Sequence, residues 1–116
     1  MTANHILVVD DEPEIRSSVR DILEDEGFTV AVAENATEAR QQRQDKTPDL
    51  VLLDIWMPGE DGVSLLKEWK EQDSLSFPVV MMSGHGTVET AVEATRLGAF
   101  DFIEKPLSLA KLLRVT

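Results

Sequence analysis

The sequence predicts an α/β fold: a doubly wound parallel sheet of five strands with five helices covering its two faces. Three observations predict it. Five short apolar runs recur along the chain, each too short to be a helix. Every gap between them holds a helix-length segment, which excludes tight hairpins and requires right-handed crossovers. The polar residues with chemistry to offer gather where the runs end.

The apolar runs are Ile6 to Val9, Thr29 to Ala33, Leu50 to Leu53, Val79 to Met82 and Phe100 to Ile103. Three of them are continuous rather than alternating, the pattern of strands covered on both faces. Thr29 to Ala33 is thinner and belongs at a sheet edge. Between the first two runs, Ile15, Val19, Ile22 and Leu23 fall on one helical face. Pro13 suits the first turn of that helix and Gly27 its left-handed stop. Asn35 followed by Glu38 reads as a capping box before a helix from Ala36 to Gln44, whose apolar face is weak. Gly62, Leu65, Leu66 and Trp69 mark a third helix. Val88, Ala91, Val92 and Thr95 mark a fourth, stopped by Gly98. Ser108 caps a fifth through Leu109, Leu112 and Leu113. That last helix meets no cap or breaker, so a single domain over residues 1–116, cut inside its last helix and lacking further domains, is expected.

Composition narrows the function classes. The chain has 116 residues and a formal charge of −11, with 22 acidic against 11 basic side chains. That balance argues against nucleic acid or an anionic membrane as a direct partner. There is no cysteine, hence no disulfide framework or thiolate metal site, which fits a reducing cytoplasm. No apolar run approaches the roughly 20 residues needed to span a bilayer, and the N-terminus lacks a signal pattern. His5 and His85 are too few and too far apart for a zinc site. His5 reads as surface, His85 as a pocket-rim residue. Glu24, Asp25, Glu26, Glu68 and Glu71 read as solvated helix faces.

In an open parallel sheet, ligands bind beyond the carboxyl ends of the strands. Asp10, Asp11 and Glu12 follow the first strand, Asp54 the third, Ser83 and Gly84 the fourth, and Lys105 and Pro106 the fifth. Each has an ordinary reading alone. An acidic pair favours a helix N-terminus, an aspartate or serine caps a turn, and a lysine is solvated. Jointly, at four strand ends, they make a pocket. Two carboxylates about 5 Å apart repel by roughly 3 kcal/mol at an effective dielectric of about 20. Asp10, Asp11 and Asp54 must therefore bind a cation, share protons or lean on a basic group. All-oxygen ligands with room for water favour Mg²⁺. A carboxylate nucleophile, a metal, a lysine and a hydroxyl are the parts needed for phosphoryl transfer to aspartate.

These residues resemble the receiver domain of a two-component response regulator. The resemblance runs from Asn4 to the last helix. It is carried by Val8-Val9-Asp10-Asp11-Glu12, by Leu53-Asp54-Ile55-Trp56-Met57-Pro58-Gly59, and by Gly62, Ser83-Gly84 and Lys105-Pro106. Ile22 to Gly27, Met82 to Ala91 and Phe102 to Pro106 are similar to the NtrC class and, within it, the NtrX group. The resemblance implies a flavodoxin/CheY-like sheet order of 2-1-3-4-5. It implies that Asp54 accepts a phosphoryl group from a histidine kinase, NtrY-like if the NtrX group holds. Asp11, Asp54 and the backbone carbonyl of Trp56 would ligate Mg²⁺, with Asp10 binding through water. Lys105 would pair with Asp54 and then with the phosphoryl oxygens. Ser83 and Phe102 would be the switch residues, Trp56 and His85 would tune phosphoryl lifetime, and Pro106 would follow a cis peptide. Ser83 stands where threonine is commoner, and Phe102 where tyrosine is. The face of the fourth helix, fifth strand and fifth helix would be the switching surface and the homodimer contact, controlling a sigma-54-interacting ATPase and a DNA-binding domain.

The residues argue against three rival readings. A haloacid-dehalogenase-type phosphatase wants a second carboxylate two residues after its nucleophile, and Trp56 stands there. A pseudo-receiver would not keep the full acidic, hydroxyl and lysine set. A flavodoxin-like cofactor binder would not place carboxylates where a phosphate loop belongs.

Overall fold

The computed structural model describes residues 5–55, 62–73, 78–83, 96 and 101–104. The strands are β1 (His5–Val9), β2 (Thr29–Ala33), β3 (Leu50–Asp54), β4 (Val79–Ser83) and β5 (Asp101–Glu104); the helices are α1 (Pro13–Asp25), α2 (Ala36–Asp45) and α3 (Gly62–Asp73). The strands pair in parallel in the order β2-β1-β3-β4-β5, so the thin second run does lie at an edge. Asp54 and Ser83 close their strands from within rather than following them, because Asp54 still pairs with Met82 and Ser83 with Glu104. The predicted helices around Val88 and after Ser108 lie outside the described residues.

Strand alternation divides the core into two layers. Leu7, Val9, Val51, Leu53, Val79 and Met81 pack with Ala36 and Ala39 of α2 and Leu65, Leu66 and Trp69 of α3. Ile6, Val8, Leu50, Leu52, Val80 and Met82 pack on the other face with Val19 and Leu23 of α1. Residues on continuous apolar runs thus face a helix layer whichever way they point, which is what the sequence pattern requires. Each large side chain so buried contributes roughly 1.5–3 kcal/mol.

The helix ends follow local chemistry. Pro13 opens α1. At its other end Gly27 has φ +94°, the Gly27 N–H donates to the Glu24 carbonyl at 3.0 Å and the Phe28 N–H to the Leu23 carbonyl at 3.1 Å. That is a Schellman stop, with Phe28 and Leu23 in the same apolar cluster. Asn35 caps α2 by accepting the Glu38 N–H at 2.9 Å. The Glu38 carboxylate reaches one residue further back than a standard capping box, accepting the Glu34 N–H at 3.1 Å.

Two residues expected to be freely solvated are held instead, Glu68 half-buried in an ion pair and His5 buried. Glu68 accepts two hydrogen bonds from Arg40, both at 2.8 Å, and the neighbouring Arg43 guanidinium lies 5.3 Å from the Trp69 ring centroid. The buried residues of α2 are only Ala36 and Ala39, so this ionic and cation–π clamp to α3 supplements a small apolar contact. His5 is only 8% exposed. It opens β1 between two strands: its ring Nδ1 shares a hydrogen bond with Thr29 Oγ1 at 3.0 Å, and its N–H donates to Asp49 Oδ2 at 2.7 Å. Burial, and then the charge of Lys46, push the His5 imidazole below its ordinary pKa.

Candidate functional site

Parallel pairing brings the strand ends to one edge of the sheet. Val9 pairs with Leu53, so Asp10 and Asp54 extend the next rung on adjacent strands, spaced about 4.8 Å apart. Asp54 in turn pairs with Met82, and Ser83 shares the rung above with Glu104. Two of these groups are carboxylates nearly closed to solvent: Asp10 is 0% and Asp54 2% exposed. Buried carboxylates are costly unless hydrogen-bonded or matched by positive charge.

Asp10 is supported on several sides. Its N–H donates to the Ala33 carbonyl at 3.0 Å, which prolongs the β1–β2 pairing past the last strand residue. Its Oδ1 accepts the Glu12 N–H at 2.9 Å, at the positive end of the α1 dipole. Its carbonyl oxygen accepts from Arg16 Nη1 at 2.7 Å. Asp54 is supported through its main chain. Gly62, first residue of α3, donates its N–H to the Ile55 carbonyl at 2.8 Å. A Cβ there would overlap the Asp54 carbonyl oxygen and lie 2.9 Å from its carbonyl carbon. Only glycine lets α3 begin this close to the end of β3.

Ligand atoms of Asp10, Asp11 and Glu12 all lie within 4.8 Å of one another. Burial falls along the three, from buried Asp10 through half-buried Asp11 to exposed Glu12, so the cluster opens outward. An all-carboxylate donor set with one solvent-facing member suits a hard divalent cation that keeps some of its water. Carboxylates at a parallel sheet's carboxyl edge, beside a helix N-terminus, suit phosphoryl chemistry only with such a cation, because they would otherwise repel the phosphate.

Residues 6–116 match the family described as response regulator receiver domain. The chain belongs to that family. This receiver domain is 47% identical over 116 residues to the nitrogen assimilation regulatory protein NtrX of Azorhizobium caulinodans, covering 98% of this chain and 25% of that one. The receiver domain of NtrX from Brucella abortus superposes with a TM-score of 0.88 at 52% identity, covering 95% of this chain and 92% of that one. A beryllofluoride-activated NtrC4 receiver domain dimer superposes with a TM-score of 0.88 at 40% identity, covering 96% and 91%. The chain spans about a quarter of the length of the NtrX relatives it matches. It is a phosphoacceptor module of the two-component type, and receiver domains are signalling modules rather than turnover enzymes.

Of the residues singled out in the sequence, Asp10, Asp11 and Asp54 come to one sheet edge, with Ser83 one rung beyond Asp54. Phe102 lies on β5 paired with Met81, on the rung of Val9 and Leu53. Trp56, His85, Lys105 and Pro106 lie outside the described residues. Sequence reasoning passed over Arg16, whose position reads as an ordinary helix-face arginine, and did not count Glu12 among the ligands. The signal for Glu12 was adjacency alone. For Arg16 it was its place one turn into α1, from which a side chain leans back toward the N-terminus.

Proposed function

We propose that this receiver domain takes a phosphoryl group onto Asp54 from a sensor histidine kinase, an NtrY-like one in view of its NtrX relatives, and relays the change to a transcriptional output domain. The observation that carries the reading is the common rung of Asp10 and Asp54, two buried carboxylates where parallel strands end. Asp11, Asp54 and the backbone carbonyl of Trp56 would hold Mg²⁺, with Asp10 acting through water. When bound, the ion neutralises charge on the incoming phosphoryl oxygens.

An oxygen of the Asp54 carboxylate attacks phosphorus. The P–N bond to the kinase histidine breaks, and the imidazole leaves with the electron pair. Lys105 balances Asp54 before transfer and the phosphoryl oxygens after it. Ser83 donates its hydroxyl to the phosphoryl group, and Phe102 turns inward into the space this leaves. Pro106 follows a cis peptide that shapes the lysine loop, while Trp56 and His85 at the pocket rim tune phosphoryl lifetime. The fourth helix, fifth strand and fifth helix form the face whose two packings this biases.

Residues 1–116 act as one domain, five strands and five helices, within a cytoplasmic protein. It assists its own phosphorylation and dephosphorylation. Dimerisation is supported by the activated NtrC4 receiver domain dimer, and the switching face is where this chain would pair. The domain itself makes no contact with nucleic acid or membrane.

The test is intact mass after incubation with Mg²⁺ and acetyl phosphate. One phosphoryl adduct on the wild type and none on Asp54→Asn is expected. An adduct that survives the substitution, or none on the wild type, refutes the assignment.

A further inference from the structure

We propose that Arg16 is a positioning residue for the cation site: it sets the affinity of the acidic pocket for Mg²⁺ by holding the peptide plane between Asp10 and Asp11. The inference rests on the function proposed above.

The oxygen that Arg16 holds belongs to the peptide group joining Asp10 to Asp11, and Nη1 donates to it at 2.7 Å. The orientation of that plane fixes the direction in which Asp11 leaves the strand. Arg16 is itself held, because its N–H donates to the Glu12 carbonyl at 3.1 Å, the first turn of α1. The Glu12 N–H closes the circuit by donating to Asp10 Oδ1 at 2.9 Å. Three hydrogen bonds thus tie residues 10–16 into one rigid turn, and the Asp10 N–H anchors it to Ala33 of β2 at 3.0 Å.

The guanidinium has two opposed effects. Its charge sits on the main chain of Asp10, the first residue of a cluster whose ligand atoms are within 4.8 Å of one another, and repels an incoming cation. Its hydrogen bond pre-orders the ligands, which removes an ordering cost from cation uptake. The contact is to a main-chain carbonyl rather than to a carboxylate, so Arg16 acts on geometry. Ordering therefore dominates, and losing it weakens metal binding as loss of an outer-shell partner does, by about tenfold.

The experiment is Mg²⁺ calorimetry on the 116-residue chain as wild type, Arg16→Ala, Arg16→Lys and Asp11→Asn. It is paired with the Mg²⁺ dependence of phosphorylation by acetyl phosphate. Arg16→Ala is expected to raise the Mg²⁺ Kd about tenfold and to move the half-saturating Mg²⁺ for phosphorylation by the same factor. A merely structural loss would lower the amplitude without moving that midpoint. Arg16→Lys keeps the charge and one donor and is expected to raise Kd by about threefold; it carries the test should Arg16→Ala fail to fold. Either folded variant binding Mg²⁺ as tightly as the wild type, or tighter, overturns the proposal. Mg²⁺ uptake by the wild type that survives Asp11→Asn instead overturns the metal site, and the role of Arg16 with it.

Discussion

Replacing Gly62 with alanine tests whether the acidic sheet edge is held by backbone packing. The added Cβ would overlap the Asp54 carbonyl oxygen, lie 2.9 Å from its carbonyl carbon and 3.2 Å from the Ile55 Cα. All three are main-chain atoms, so no side chain can swing aside. Relief at the carbonyl carbon alone takes roughly 0.6 Å of movement, up to the ~3.5 Å at which carbon atoms rest. A functional constellation tolerates only about 0.5 Å. Overpacking of this kind costs about 1–3 kcal/mol, and the helix-propensity gain of alanine returns less than ~1 kcal/mol. The expected net loss is about 2 kcal/mol, or a melting point lower by about 8 °C for a domain of this size, with Mg²⁺ binding weakened about tenfold. Gly27→Ala is the control. Its φ of +94° strains an alanine, but no atom lies within 4 Å of the new Cβ, and it sits at the opposite end of the sheet. It should cost about 1–2 kcal/mol and leave the Mg²⁺ Kd unchanged. Thermal circular dichroism and calorimetry read both quantities. Gly62→Ala melting within about 2 °C of wild type, with unchanged Mg²⁺ affinity, would refute the reasoning.

Three further outcomes follow from other contacts. Burial lowers the His5 pKa below 6.5, so its contribution is fully present above that value and is lost as pH falls through it toward the folded pKa; melting points of wild type and His5→Gln should converge on acidification, and parallel curves would contradict this. The Arg40 hydrogen bonds hold the Glu68 carboxyl below its ordinary 4.5, so its stabilisation is present above 4.5 and lost below it. With both side chains about a third exposed, Glu68→Gln should cost only about 1 kcal/mol, read by urea denaturation at neutral pH, and a loss that persists unchanged in acid counts against the pairing. Trp56 should change its fluorescence on Mg²⁺ addition and Trp56→Phe should abolish the change; a signal that persists in Trp56→Phe would belong to Trp69.

The fold was legible wherever a local rule and the tertiary structure agreed. Gly27 after α1 and Asn35 before α2 sit where their backbone chemistry demands, and Gly62, Leu65, Leu66 and Trp69 form the buried stripe of α3. The weak apolar run from Thr29 lies on the edge strand. That Asp10 and Asp54 would meet was legible because parallel topology sends every strand end to one edge. Hidden features depended on partners distant in sequence. His5 is buried by Thr29 and Asp49. Glu68 is tied to a helix elsewhere in the chain. The ends of β3 and β4 run to Asp54 and Ser83 because the neighbouring strands still pair there, not because those residues favour strands. Arg16 acts on a carbonyl oxygen, and its place one turn into α1 does not by itself single out that contact.

The acidic edge explains how one part of a stable sheet can respond to a small ligand. Away from it, both faces of β1 and β3 are sealed by apolar layers, and those rungs have no reason to move. At Asp10 and Asp54 the same strands end in buried carboxylates, whose mutual repulsion is roughly 3 kcal/mol at about 5 Å and an effective dielectric of about 20. Among the described residues three local devices hold that edge against the repulsion: the α1 N-terminus at Asp10 Oδ1, Arg16 on the Asp10 carbonyl, and the close start of α3 at Gly62. None of them cancels the carboxylate charge, and each fixes where that charge sits. A divalent cation is then the species that gains most from the arrangement, and a phosphoryl group gains next, because it meets positive charge where it would otherwise meet aspartates. Rigidity of the main chain and the negative charge of the carboxylates are complementary requirements. Loosening the first would let the carboxylates splay apart, and neutralising the second would leave a stable edge with nothing to bind.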